Sequence, residues 1–378
     1  MTDENKPTGS AFKDLIHRNG IIRLAEAFKR ADPHFAVEPF VVAACTGLAD
    51  LELKARVWHV VSAMEAVLPP DPRTAIEIVR TAARHFERHS EEGSFPANAW
   101  PLVEFVGKIG LAEFDLGMAA LCDMTSLFSA EFAIRGFIAQ NPERAFTYLR
   151  RWTTHDDHHV RRLVSEGTRP RLPWGSRLRV FDEFPDTVVA LLDSLVDDQS
   201  EYVRRSVSNH INDLSKDYPD VALDVCSRWI REQPSQNRLW VVRRGLRTLV
   251  KKGNARALTL VGCHADAAVD VLDLVIKPQQ VVIGEIITFR FGLKLRHADS
   301  ATVAVDYRIG PDDSKRGAHS RLFRLKTVPL AADTTLELEK SHRIRQVTTR
   351  KTDPGPYFLS IVVNGVDQQS TKFQVLEN

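Results

Sequence analysis

The chain has 378 residues, of which 43% are hydrophobic and 26% charged, and its net charge is +2. This composition is typical of a globular protein, and the length predicts two or three domains. The sequence lacks the apolar run of about 18 residues that a membrane span needs, and its polar first residues lead us to expect no secretory signal and no membrane attachment.

The cysteines are few and far apart, at positions 45, 122, 226 and 263. None of them stands in a spacing that is typical of zinc sites. We therefore expect reduced thiols in a cytoplasmic protein, with no metal and no cofactor.

The first third of the chain predicts helices that follow a disordered lead at residues 1–10. Apolar residues at helical spacing and the stops at Pro69-Pro70 and Glu92-Gly93 support this prediction. The predicted helices cover residues 11–31 (with a break near Asn19-Gly20), 37–46, 51–68, 72–90, 99–108 and 111–122.

Between residues 129 and 257, an apolar helix face with an arginine recurs at Arg135, Arg161, Arg204 and Arg243. The step from Arg161 to Arg204 is 43 residues, and the step from Arg204 to Arg243 is 39. A helical period of about 40 residues is typical of HEAT-like repeats, which bind partners on a concave surface. We predict a HEAT-like helical solenoid over residues 11–265.

Charge is segregated along these repeats. Residues 150–179 contain eight arginines and three acids, and residues 226–256 contain nine basic residues and one acid. Residues 182–201, in between, contain seven acids and no base. Basic blocks on one face would form a groove for a polyanion, whereas on outer faces they would only be solvated.

The sequence changes character over residues 269–378, where short segments rich in β-branched residues alternate with turns such as Asn364-Gly365. Six or seven strands predict a C-terminal immunoglobulin-like β-sandwich. Its predicted loops carry basic residues that either touch the same polyanion or only solubilise the domain: Lys315, Arg316, His342, Arg343, Arg345, Arg350 and Lys351.

The predicted helix over residues 201–216 combines an apolar stripe with a polar ridge. Arg205, Asn209 and Asp213 follow one another at four-residue intervals, which places them along one ridge, with Asp213 at the edge of the core face. This ridge is either an ordinary polar surface or part of a site.

Two further acids, Glu131 and Glu166, lie in equivalent places on neighbouring predicted helices. Each stands four residues from an arginine, Arg135 and Arg162 respectively. Taken alone, such pairs are surface salt bridges worth about 0.3–0.5 kcal/mol. Residues 165–174 change the interpretation, because two prolines, two arginines and Trp174 interrupt the repeat, and irregular loops in repeat proteins commonly lie on the binding face.

The cluster His155-Asp156-Asp157-His158-His159 suggests a metal site of the HD phosphohydrolase type. Such a site needs a further histidine and aspartate at set positions, which the sequence does not offer. We instead expect Asp156 or Asp157 to cap the following helix.

The segments SEGTRPRLPW (165–174) and SVSNHINDLSKDYP (206–219), within a HEAT-like array followed by a sandwich, resemble the AlkC branch of the AlkC/AlkD superfamily of bacterial DNA alkylation repair glycosylases. The resemblance implies excision of 3-methyladenine and 3-methylcytosine from duplex DNA without base flipping. The acidic active-site residues of the family fall on Glu131, Glu166 and Asp213, of which we expect Asp213 to take the main role.

The same resemblance directs attention to residues that would hold alkylated double-stranded DNA. The candidates are Arg162, Arg169, Arg171, Trp174, Arg205, Asn209, Arg243 and Arg244. We expect a monomer without an obligate protein partner, located in the cytoplasm and associated with the nucleoid when it is bound to DNA.

A non-catalytic HEAT-repeat adaptor that binds nucleic acid or protein is the main alternative. It predicts that Glu131, Glu166 and Asp213 lie on unrelated faces.

Overall fold

The computed structural model describes residues 12–86, 97–312, 319–346 and 352–377. The predicted lead, residues 87–90 of the fourth predicted helix, the Glu92-Gly93 stop, and Lys315, Arg316, Arg350 and Lys351 lie outside the described residues. The chain forms two compact units, Met1–His210 and Ile211–Asn378. The domain boundary predicted at residues 265–269 coincides with the start of the first strand. The two compact units instead divide at His210 and Ile211, within a helix.

The helices begin and end close to the predicted positions. Three short 3-10 helices cover Phe12–Leu15, Leu48–Asp50 and Ala97–Ala99. The α-helices are α1 (Arg18–Ala31), α2 (Val37–Cys45), α3 (Leu53–Val67), α4 (Pro72–His85), α5 (Trp100–Ile109), α6 (Phe114–Met124), α7 (Ile134–Gln140), α8 (Pro142–Trp152), α9 (His158–Gly167), α10 (Val180–Glu183), α11 (Pro185–Leu195), α12 (Glu201–Asp217), α13 (Pro219–Glu232), α14 (Gln236–Gly245), α15 (Arg247–Lys251) and α16 (Ala255–Leu260). Of these described helices, none combines the length and apolarity that crossing a bilayer requires.

Local chemistry explains where individual helices start and stop. In α4, Asp71 accepts a hydrogen bond from the Thr74 amide (2.9 Å), and Pro72 occupies the first turn, where its missing N–H costs nothing. The helix ends at His85, where the Phe86 amide bonds to the Ala83 carbonyl.

The break predicted near Asn19-Gly20 lies slightly earlier in the chain. His17 caps α1 by accepting from the Gly20 amide, so Gly20 itself belongs to the helix. A Cβ at Gly20 would come within 2.0 Å of the Asn98 side chain, so glycine is needed for this close packing.

In the first unit, the main packing partners of each helix lie one to three helices away along the chain. Examples are α1 against α2 and α4, α3 against α5, and α8 against α9 and α11. Contacts of this short range are the mark of a repeat array. The predicted HEAT-like helical architecture is confirmed.

The second unit contains the later helices and all of the described strands. The strands are β1 (Val269–Lys277), β2 (Gln280–Val282), β3 (Ile286–Leu295), β4 (Ser300–Pro311), β5 (Arg321–Ala331), β6 (Thr335–Arg343), β7 (Gly355–Val363) and β8 (Val366–Leu376). They form a three-stranded sheet in the order β1-β3-β6 and a five-stranded sheet in the order β2-β8-β7-β4-β5. Alternate residues such as Phe289, Phe291, Val303 and Ile361 fill the core of this unit.

The sandwich differs from the prediction in its strands and in the position of two residues. No strand was predicted at residues 280–282 or after residue 363, so β2 and β8 were missed. Strand β8, whose first half is polar, pairs with β7 through a turn at Asn364-Gly365. His342 and Arg343 were placed in loops, but they end strand β6, where His342 Nδ1 lies 3.0 Å from the Tyr307 hydroxyl. Burial is the main reason that the pKa of His342 lies below its ordinary value.

Within this second unit, the last helices are joined to the sandwich by specific contacts. Asn364 accepts a hydrogen bond from the Ala304 amide (2.9 Å) and donates one to the His264 carbonyl (2.8 Å). The Lys251 ammonium donates to the Leu322 carbonyl at 3.2 Å. Gly253 and Gly365, both with positive φ, touch backbone to backbone, so that a Cβ at Gly365 would meet the Gly253 nitrogen at 2.3 Å.

Candidate active site

In the first unit, two of the predicted acids converge on one arginine. Arg162 lies on α9, and its Nη1 is 2.6 Å from Oε2 of Glu131, while its Nη2 is 3.5 Å from Oε1 of Glu166. The ring of Tyr202 covers the guanidinium at 4.8 Å, which is a cation–π distance. The Arg162 cluster, as we call Glu131, Arg162, Glu166 and Tyr202 with their partners, is therefore a shared ion-pair network.

Glu131 is positioned by a turn that precedes α7. The Ser129 hydroxyl donates to Glu131 Oε2 at 2.7 Å and accepts from Arg162 Nη1 at 2.6 Å. The predicted helical ion pair between Glu131 and Arg135 is wrong, because Glu131 precedes the helix and pairs with Arg162 instead.

Glu166 stands in the last turn of α9 and is almost fully buried. Its Oε1 accepts from Arg169 Nη1 and its Oε2 from the Ser206 hydroxyl, at 2.5 and 2.6 Å. Burial alone would raise the pKa of Glu166, but Arg162, Arg169 and the Ser206 hydroxyl outweigh it and lower that pKa below its usual value. The pair between Arg162 and Glu166 is thus formed as the four-residue spacing predicts, but it is buried and not on the surface.

The same electrostatics act on the partners of the acids. Burial works against the charge of Arg162, yet Glu131 and Glu166 raise the pKa of its guanidinium above the ordinary value. Burial also raises the pKa of Tyr202 to about 12. At neutral pH Glu166 is therefore a carboxylate, Arg162 a guanidinium and Tyr202 a neutral phenol.

Arg135 has a different role from the predicted one. It is buried, and its guanidinium donates to the carbonyls of Gly167 (3.2 Å), Arg169 (2.7 Å) and Ser176 (2.5 Å). These three bonds fasten both ends of the proline- and arginine-rich segment that follows α9. The irregular segment is therefore held in place, which suits a loop that presents side chains to a ligand.

Trp174 projects from that segment. Its side chain is 64% exposed, and its backbone has φ 64, in the left-handed region that tryptophan rarely adopts. Lys54 on α3 donates a hydrogen bond to the Trp174 carbonyl. An exposed tryptophan held in a strained conformation is a feature that the helical scaffold itself does not require.

Asp213 belongs to the second unit. It is 2% exposed, and Lys216 Nζ lies 3.1 Å from its Oδ1. Along the predicted ridge, Arg205 is exposed, Asn209 half-buried and Asp213 buried, which agrees with the predicted position of Asp213 at the edge of the core face. On an α-helix, each four-residue step moves the side-chain direction by about 40° around the helix axis, so that Asp213, the last of the three, points inward.

The remaining DNA-binding candidates divide by exposure. Arg171, Arg205, Arg243 and Arg244 are exposed. Arg205 pairs with Glu201 at 2.5 Å, and the Arg244 guanidinium lies 5.6 Å from the Trp240 ring. Arg162 and Arg169 are instead held by the carboxylates described above.

The histidine-rich run contains one group of potential ligands among the described residues, Asp157, His158 and His159, with ligand atoms within 4.8 Å of one another. The Asp157 carboxylate accepts from the His159 amide at 2.8 Å and thereby caps α9, as the sequence predicts.

Sequence reasoning missed Ser129, Ser206 and Tyr202. Of these three, only Ser206 could have been found from the sequence. It stands in the 206–219 segment beside the apolar stripe of α12, and a small polar side chain in that position needs a hydrogen-bond partner.

These features define a class of protein: a helical-repeat protein that carries a carboxylate–arginine cluster and continues into an immunoglobulin-like sandwich. Residues 270–377 match the family model described as "Uncharacterised protein YhaZ, C-terminal Ig-like domain". Uncharacterized protein YhaZ of Bacillus subtilis is 33% identical over 327 residues, which are 86% of this chain and 88% of that protein.

A solved structure matches nearly the whole chain. It is the Pseudomonas fluorescens alkylpurine DNA glycosylase AlkC bound to DNA containing an abasic site analog, with 34% identity, a TM-score of 0.87, and coverage of 97% of this chain and 100% of that one. The chain belongs to the AlkC family, as its sequence predicts.

Proposed function

We propose that this protein is a monofunctional DNA glycosylase that excises cationic N-methylated bases, 3-methyladenine and 3-methylcytosine, from alkylated duplex DNA. Membership of the AlkC family supports a DNA glycosylase, and the described AlkC structure contains DNA. The observation that carries the proposal is the convergence of Glu131 and Glu166 on Arg162. A non-catalytic adaptor has no need for two carboxylates held in this way.

The chemistry of such a substrate explains why carboxylates suffice. A base methylated at a ring nitrogen is already cationic, so it leaves without being protonated. What must be stabilised is the positive charge that develops on the deoxyribose as the C1′–N bond breaks. A carboxylate near the sugar provides this, and one that accepts a proton from water prepares the nucleophile.

The three acids are suited to different parts of this reaction. Glu166 has its charge fixed by Arg162, Arg169 and Ser206, and its pKa is lowered. It therefore acts as a permanent negative charge that positions Arg162. Glu131 pairs with the same Arg162 and accepts a hydrogen bond from Ser129. We assign Asp213 the main electrostatic or water-activating role.

Exposed side chains would hold the DNA. Arg171, Arg205, Arg243 and Arg244 are exposed and would contact phosphates, whereas Arg162 and Arg169 would act mainly through the carboxylates. Trp174 would stack beside the lesion, and excision would proceed without base flipping. We propose a monomer that needs no protein partner.

The test is release of 3-methyladenine from methylated duplex DNA. We expect release by the wild type, and at least a hundredfold slower release by Asp213→Asn and Glu131→Gln. Asp224→Asn and Glu77→Gln are matched controls, because these acids are 69% and 52% exposed in surface pairs. No release by the wild type would overturn the activity, and undiminished release by both site variants would overturn the assignment.

A second measurement addresses the reaction type. No lysine is proposed as a nucleophile, so borohydride should trap no covalent complex with DNA. A trapped complex would show lyase chemistry and contradict a monofunctional enzyme.

A further inference from the structure

A pocket of about 180 Å³ lies in the first unit, beside the segment that follows α9. Four aromatic side chains line it, together with a lysine and a buried glutamate: Lys54, Trp58, Trp100, Glu104, Phe132 and Trp174. Phe132 directly follows Glu131, so the pocket and the Arg162 cluster share one stretch of chain. Neither Trp58, Trp100 nor Glu104 has a part in the function proposed above.

The rear of the pocket is a rigid aromatic stack. Trp100 is nearly parallel to Phe128 and Phe132, at ring distances of 4.9 and 5.6 Å. Its indole Nε1 donates to Glu104 Oε1 at 2.8 Å. This bond fixes the Trp100 ring and also holds a carboxyl group in the pocket lining.

The mouth of the pocket is formed by aromatic surface that the fold leaves uncovered. Trp58 is 45% exposed and Trp174 is 64% exposed. Lys54 connects the two parts, because its ammonium lies 5.2 Å from the centre of the Phe132 ring and donates to the Trp174 carbonyl. Exposed tryptophans beside a cavity are typical of a site that takes a flat ring.

Two features of the pocket are not explained by a contribution to stability. Trp174 is held in the left-handed backbone region, and Glu104 is buried at a cost that its bond to Trp100 only partly offsets. Burial raises the pKa of Glu104, and this favours a carboxyl group that can both donate to and accept from the polar edge of a ring.

We propose that this pocket binds one nucleobase, which stacks on Trp58 and Trp174 and presents its polar edge to Glu104. The inference rests on the proposed glycosylase function. In that reaction the electron pair of the C1′–N bond passes to the cationic base, which leaves as a neutral heteroaromatic ring. The hydroxyl of water is added to C1′, and its proton passes to solvent.

Because excision is proposed to proceed without base flipping, the ring in the pocket is the released base and not a base that is still part of the DNA. Titration of the full chain with free 3-methyladenine tests this binding. A duplex that carries 2-aminopurine next to an abasic-site analogue tests the other source, since the fluorescence of this base reports its stacking, and we expect no change that depends on Trp58.

Trp58→Ala is the deciding variant, with Trp58→Phe as rescue and Val42→Ala as control, since Val42 is 59% exposed in the same unit and outside the pocket. We expect Trp58→Ala to weaken binding of free 3-methyladenine by about tenfold, as is typical for loss of one stacking aromatic. Trp58→Phe should restore most of the effect, and Val42→Ala should stay within about twofold of the wild type.

If the wild type does not bind free 3-methyladenine, or if Trp58→Ala binds it as the wild type does, the pocket proposal is overturned. If the wild type binds free base in a Trp58-dependent manner but releases none from methylated DNA, the pocket stands and the glycosylase proposal fails. The two failures are thereby distinguished.

Discussion

Nη1 of Arg162 lies 2.6 Å from Oε2 of Glu131, and the two side chains are only 13% and 15% exposed. The Ser129 hydroxyl bonds to both groups, and Glu166 approaches the other side of the same guanidinium. A single cation thus supports two carboxylates that come from different helical repeats. Its removal should affect stability and activity together.

Replacing Arg162 by alanine should lower the free energy of unfolding by about 3–5 kcal/mol, because it leaves carboxylates in a buried site without their shared partner. Urea denaturation measures this. Arg144→Ala is the control, since Arg144 forms an exposed pair with Asp115 and should cost less than about 1 kcal/mol. Equal losses in the two variants would contradict a buried network.

Replacing Ser206 by alanine removes a hydroxyl that donates to the Glu166 carboxylate. At pH 7 we expect a loss of about 1.5–3 kcal/mol, as is typical for a hydrogen bond to a charged group. Ser194→Ala, which removes only a bond to the carbonyl of Ala190 in its own helix, should change stability little.

The same pair of variants predicts a pH dependence. The pKa of Glu166 is lower in the folded protein than its ordinary value of 4.5. Its stabilising contribution is therefore complete above pH 4.5 and is lost as the pH falls through the folded pKa. The difference in the free energy of unfolding between wild type and Ser206→Ala should therefore shrink in that acid range. Urea unfolding curves at pH 7 and below pH 4 measure it, and a difference that stays constant would contradict this origin.

Trp174 offers a way to separate strain from function. Because φ at Trp174 is 64, Trp174→Gly should relieve about 1 kcal/mol of backbone strain, whereas Trp174→Ala keeps it. Both variants lose the indole, so both should release base about tenfold more slowly. Thermal unfolding and base release are measured on the same samples. A glycine variant less stable than the alanine variant would argue against the strain.

Binding to DNA should weaken with salt in proportion to the phosphates contacted. Removing one contacting arginine, in Arg171→Ala or Arg243→Ala, should reduce the slope of log K against log salt concentration by about 0.9. Arg84→Ala, at the end of α4, is the control and should leave the slope unchanged. An unchanged slope in Arg171→Ala and Arg243→Ala would remove these residues from the interface.

Much of the fold could be predicted from local patterns. The helical array and the C-terminal sandwich were predicted from apolar periodicity and turn residues, and this fold class is confirmed. Strand β8 was missed because its outward-facing first half, with Asp367 and Gln368, has no apolar alternation. Its pairing with β7 is set by the Asn364-Gly365 turn and not by its own composition.

The candidate site was less accessible to sequence reasoning. Glu131 and Glu166 could be singled out by resemblance, but the arginine that joins them could not, since Arg135 and Arg162 have the same local spacing to an acid. Tertiary packing distinguishes the two arginines: Arg135 donates hydrogen bonds to backbone carbonyls, and Arg162 forms ion pairs with both glutamates. The pocket around Trp100 and Glu104 likewise draws on residues separated by more than a hundred positions.

The contact between Gly253 and Gly365 has a consequence for anyone who shortens this chain. The helical residues 211–268 and the strands belong to one compact unit, joined by Asn364, Lys251 and the two glycines. A chain that ends before Val269 would leave the Lys251 and Gly253 surfaces bare and remove the bond to the His264 carbonyl. Loss of activity in such a truncated protein would therefore report a damaged helical repeat as well as a missing sandwich, and point substitutions on the sandwich surface are the cleaner probe of what it binds.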